Sequence, residues 1–100
     1  MNATRDVIFA DMRLYMLILL HDQGDFSLND VVIKTALEQI GHRYSREVIL
    51  GQLEWLKRMN LVTLDTVGRY TVATLTEWGD ECVLGQTKVP GIRRPQPGEV

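Results

Sequence analysis

The chain is 100 residues long, with a formal net charge of −2 and 45% hydrophobic residues, so one domain with a core of modest stability is expected. A single cysteine, Cys82, excludes an internal disulfide, and the apolar run from Leu14 to Leu20 is too short to cross a bilayer, which takes about 20 residues. The even charge balance excludes a generally basic surface, so any face for nucleic acid has to be local.

The spacing predicts a first helix from Thr4 or Arg5 to His21, with Thr4 as N-cap and Asp6 in the first turn. Its second half is apolar on every side and must be covered on every side. A second copy of the chain is the simplest cover, so a homodimer through this helix is expected; the alternative is that the C-terminal helix closes over it. Asp22-Gln23-Gly24-Asp25 reads as a turn and Phe26 as a core anchor. Ser27 to Asp30 has the form of a cap for a second helix, with Val31 or Val32, Ala36, Leu37 and Ile40 inward and Gly41 at its end. Gly41-His42-Arg43-Tyr44 then makes the turn of a helix-turn-helix.

The third helix runs from Ser45 to about Met59. Ser45 caps it, Glu47 suits its first turn, and Lys57 and Arg58 suit its last. Ile49, Leu53 and Leu56 form its buried stripe. Asn60 supplies the left-handed residue that ends it. Two strands follow, Leu61 to Leu64 and Arg69 to Ala73, with a tight turn at Val67-Gly68. Thr76 caps a last helix that turns Trp78, Cys82, Val83 and Leu84 toward core or partner and ends near Gly85. Gly79 inside that helix costs about 1 kcal/mol relative to alanine, which points to close approach of another backbone. From Thr87 onward Pro90, Gly91, Pro95, Pro97 and Gly98 exclude regular structure, and Lys88, Arg93 and Arg94 make the segment basic. The expected division is a domain over residues 1–86 and an extended basic tail over 87–100. No basic stretch followed by an apolar run and cleavage site opens the chain, so no signal peptide is expected. The expected fold is mainly α with a small β-hairpin (α+β), a winged helix-turn-helix of about four helices and a two- or three-stranded wing.

Leu53 to Val62 resembles the recognition-helix-into-wing segment of bacterial winged-helix regulators of the ArsR, MarR and PadR type, with Asn60 where those families usually have glycine. Leu75-Thr76-Glu77-Trp78-Gly79 is similar to the motif that opens the helix after the wing in MarR- and PadR-like proteins. Over its whole length the chain resembles small proteins of Mu-like bacteriophages and prophages, through Gly41-His42-Arg43, Val72-Ala73-Thr74-Leu75-Thr76 and the segment Val89 to Pro95. The resemblance implies a protein of the bacterial host cytoplasm that binds double-stranded DNA and regulates phage genes. In those families the N-terminal half of the third helix enters the major groove. The positions that correspond are Arg46, Glu47, Leu50, Gly51 and Gln52. Arg46 suits guanine and Gln52 suits adenine. Arg43, Arg46, Lys57 and Arg58 are placed for phosphates, Arg69 for the minor groove from the wing tip, and Arg93 and Arg94 on the tail likewise; Ser45 is a further expected DNA-binding residue.

The other expectation is an adaptor that uses the same fold to bind another phage protein, motivated by the net charge, by Leu50 and Gly51 on the reading face, and by the apolar first helix. An enzyme is not expected, since no nucleophile, base and orienting group are suggested together. His21 and His42 are expected to bond locally and Cys82 to be a core residue. Neither cofactor nor metal is expected.

Overall fold

The computed structural model describes residues 3–100. Its elements are α1 (Ala3–His21), β1 (Ser27–Asn29), α2 (Asp30–Gln39), α3 (Arg46–Arg58), β2 (Val62–Val67), β3 (Tyr70–Leu75) and α4 (Glu77–Val83). The three strands form one antiparallel sheet in the order β1-β3-β2. Four helices, a helix-turn-helix in α2–α3 and a hairpin directly after α3 make this a winged-helix fold.

Local chemistry explains most boundaries. The Ser45 hydroxyl accepts from the Val48 amide and starts α3. Asn60 adopts φ 63° and turns the chain out of α3 into β2. Val67 pairs with Tyr70, so the hairpin turn is Gly68-Arg69, one residue later than expected, with Gly68 at φ 60°. Thr76 caps α4 by accepting from the Gly79 amide. Ile49, Leu53 and Leu56 are all fully buried, so α3 turns inward the face its periodicity indicates. Leu53→Ala is expected to cost about 2–5 kcal/mol by leaving a cavity; a loss below about 1 kcal/mol on chemical unfolding would contradict that burial.

Several expectations need correction. Ser27 does not cap α2. It lies in β1, which pairs with β3 through Ser27↔Thr74, and the cap is Asn29, whose side chain accepts from the Val32 amide. The inward stripe of α2 is Ile33 and Leu37, while Val31, Val32 and Ile40 are exposed. Thr4 lies within α1 and does not precede it. Phe26 is 43% exposed, at φ 60°. Its amide donates to the Gln23 carbonyl and its own carbonyl accepts from the Leu75 amide. These bonds make it the corner between α1 and the sheet and turn its ring outward. Trp78 and Leu84 are also exposed.

α1 runs through the middle of the molecule. Met12, Leu14, Met16, Leu17, Ile18 and Leu20 are buried, and α1 meets α2, β3 and α4. Residues 87–100 contain no helix or strand, yet they return to α1. Val89 and Ile92 join the core, and the Arg93 amide donates to the Ala10 carbonyl. The Arg93 guanidinium pairs with Asp11, through Nε at 2.6 Å, and with Glu99. Glu99 is held down to about 2 chiefly by the Arg93 hydrogen bond. The apolar second half of α1, the ground for expecting a homodimer, is therefore covered within one chain. Among the large apolar residues of α1, Val7 is exposed, at 69%, in its first turns.

Candidate nucleic-acid interface

The 3.6-residue repeat that sends Ile49, Leu53 and Leu56 inward sends Glu47, Gly51, Glu54 and Arg58 outward, and all four are exposed. Among the described residues nothing covers this face. Arg43 in the turn before α3, Ser45 at its cap and Lys57 near its end are exposed as well. Among the described residues Arg43, Lys57 and Arg58 make no ion pair or side-chain hydrogen bond. Arg69 is exposed at the wing tip, 5.5 Å from the Tyr70 ring centre.

The two flanks of α3 are engaged in structure. On one flank Arg46 donates through Nε to Asp30 Oδ2 at 2.6 Å and through Nη2 to the Arg69 carbonyl at 2.7 Å. Asp30 Oδ1 accepts from the Thr71 amide at 2.9 Å. One guanidinium and one carboxylate thus tie α2, α3 and the wing together. Asp30 is fully buried and Arg46 46% exposed by side chain. Burial alone would raise the Asp30 carboxyl. The hydrogen bonds from Arg46 and Thr71, with the Arg46 charge, outweigh it and hold the group below the usual carboxylate range.

On the other flank Gln52 Oε1 accepts from Arg13 Nε at 2.7 Å. The Arg13 guanidinium lies 4.1 Å from the Trp55 ring centre and donates to the Gly91 carbonyl at 3.1 Å. Gly91, at φ 92°, crosses Trp55 so closely that a Cβ would fall 2.7 Å from Trp55 Cζ2. The two side chains expected to read bases, Arg46 and Gln52, are accordingly bonded within the fold. Arg93 is bonded to two carboxylates beside α1, while Arg94 is exposed. Sequence reasoning missed Asp30 as the anchor of the wing. The one available signal was an acid directly after a helix-capping asparagine.

The histidines bond across the fold instead of locally: His42 Nε2 lies 2.8 Å from Asp11 Oδ2, and His21 Nδ1 2.7 Å from Asp80 Oδ1. Cys82 is buried, and burial pushes its thiol up, which disfavours the thiolate. Among the described residues no group of three His, Cys, Asp or Glu side chains is placed to hold a metal, and no helix is long and apolar enough to cross a membrane.

Fold and surface together define a small winged-helix protein whose α3 leaves its outer face exposed. No protein-family model matches the sequence. Over 92 residues it is 35% identical to gp26 of Escherichia phage Mu, across 92% of this chain and 95% of that protein. The chain belongs to the family of phage Mu gp26. A protein of Haemophilus influenzae is 30% identical over 92 residues, across 86% of this chain and 89% of its own length.

Among solved structures, the complex of hsRosR-S1 shares the fold with a TM-score of 0.67 at 19% identity, over 81% of this chain and 71% of that one. Bordetella bronchiseptica BpsR, whose DNA binding is regulated by 6-hydroxynicotinic acid, matches with a TM-score of 0.59 at 25% identity. That match covers 73% of this chain and 48% of BpsR.

Proposed function

We propose that this phage protein binds duplex DNA through α3 and the wing and regulates phage genes in the host cytoplasm. The observation that carries the reading is the uncovered outer face of α3, with the uncommitted cations Arg43, Lys57 and Arg58 at its two ends and Arg69 on the wing. The winged-helix likeness to BpsR, a protein with DNA binding, supports it. Four such cations meeting phosphates give a log–log salt slope of about −3 to −4. A homodimer through the first helix would use its first turns, where Val7 is exposed.

The test is binding of a short mixed-sequence duplex across a salt series, with Arg43→Ala/Arg58→Ala beside the wild type. Salt-sensitive binding that the double variant weakens by about 10-fold or more is expected, with its slope nearer zero by about 2. Absence of binding at low salt, or binding indifferent to salt, removes the DNA reading.

A protein-adaptor function is the second reading. It is favoured by Glu47 and Glu54, which place carboxylates on the outer face and repel phosphate. Capture of a phage protein from infected-cell lysate that survives nuclease and is lost in Glu47→Lys/Glu54→Lys would favour it.

A further inference from the structure

The junction of α2, α3 and the wing encloses an open cavity of about 290 Å³ lined by Val31, Arg46, Arg69 and Tyr70. Among the described residues no carboxylate lines it. Arg46 spends Nε on Asp30 and Nη2 on the Arg69 carbonyl, and keeps Nη1. Arg69 Nη2 lies 3.4 Å from the Tyr70 hydroxyl and donates to it, so the phenol retains its own proton to give. Asp30 sits fully buried behind Arg46, with both oxygens used. Two arginines against one aspartate leave the cluster with a formal charge of +1.

A cavity with unspent donors, a net positive charge and one apolar wall suits an oxyanion attached to a small carbon frame. Forked guanidinium donors match the oxygens of a phosphate. We propose that this notch holds one phosphate group, and that in the DNA complex the group is a backbone phosphodiester whose sugar lies against Val31. The source of the phosphate rests on the DNA reading; the chemistry of the notch does not. Arg46 offers Nη1 to the phosphate and also positions the notch. Because it joins α2, α3 and the wing, a phosphate held in the notch has a fixed place relative to the outer face of α3.

Two measurements test this on the whole chain. In the first, inorganic phosphate is titrated into the wild type at low ionic strength and amide shifts are followed by NMR. Saturable shifts at Val31, Arg69, Tyr70 and Thr71 are expected, exceeding those from chloride at the same ionic strength and lost in Arg69→Ala. Arg69 is suitable for truncation because Arg46 bonds to its main-chain carbonyl, which the variant keeps. In the second, duplex binding is measured against salt for the wild type, Arg69→Ala and Tyr70→Phe. Arg69→Ala is expected to weaken binding about 10-fold and bring the slope nearer zero by about 1, and Tyr70→Phe to weaken it about 3-fold. Unchanged affinity and slope in both variants overturn the phosphodiester assignment even if free phosphate binds. If the wild type binds no duplex, the DNA reading has failed and the titration alone decides the notch. Absence of saturable shifts there overturns the notch as well.

Discussion

Gly79→Ala is expected to destabilise the protein by about 3 kcal/mol or more, the upper range for overpacking. Replacing a helical glycine by alanine normally stabilises by roughly 0.5–1 kcal/mol, because alanine has less chain entropy to lose. Here the sign reverses for a local reason. A Cβ on Gly79 would overlap the Leu61 carbonyl oxygen and fall 2.6 Å from Leu75 Cδ1. The carbonyl cannot yield, since it accepts from the Thr76 amide at 3.1 Å. Thr76 is fixed in turn: its hydroxyl donates to the Asn60 carbonyl at 2.8 Å and accepts from the Gly79 amide at 3.0 Å. The first turn of α4 is thus docked directly on the backbone that leaves α3.

The expected fall in melting temperature is roughly 12–24 °C for a domain of this size. Gly51→Ala is the control. Gly51 is also helical, but its added Cβ meets nothing within 4 Å, so the ordinary gain of up to ~1 kcal/mol is expected there. Thermal unfolding of the pair decides the matter. A Gly79→Ala variant within 1 kcal/mol of wild type would mean that α4 does not rest on Leu61.

The same glycine shows what the sequence makes legible. A costly residue inside a short helix announces a close contact before the neighbour is known. Ser45, Asn60 and Thr76 are legible for the same reason, because caps and left-handed turns depend on a few adjacent residues. The α3 stripe is legible because it repeats. What escapes is made by distant partners. β1 has three residues, too few for any period, and exists because β3 offers it an edge. Phe26 looks like an anchor by composition, but the corner it must turn forces its ring into solvent. Val89 and Ile92 sit in a proline- and glycine-rich stretch with no local pattern, yet they complete the core over α1. At the interface, the resemblance to winged-helix regulators points to Arg46 and Gln52 as readers of bases. Only their partners, Asp30 and Arg13, reveal that they hold α3 in place.

Arg46→Met is the second large effect, a loss of about 3 kcal/mol near neutral pH. Removing one member of a buried pair costs ~3–5 kcal/mol, because the remaining charge is stranded. The low end applies because the outer side of Arg46 is in water, whereas Asp30 is fully buried. The pH dependence supplies a separate check. In the wild type the Asp30 carboxyl lies below its usual value, so the clamp contributes fully above about pH 4 and is lost as pH falls through the lowered value. Without Arg46, burial is opposed mainly by the Thr71 amide, and the carboxyl should move above its usual value. The penalty of Arg46→Met is then largest at neutral pH and shrinks on acidification, as Asp30 takes up a proton. Asp30→Asn added to Arg46→Met should recover stability, since the stranded charge is gone, while Asp30→Asn alone should lose it. Urea unfolding of the four proteins near neutral pH and near pH 5 closes the cycle. Strict additivity, or a penalty that grows as pH falls, would show that the two residues do not join the wing to α3.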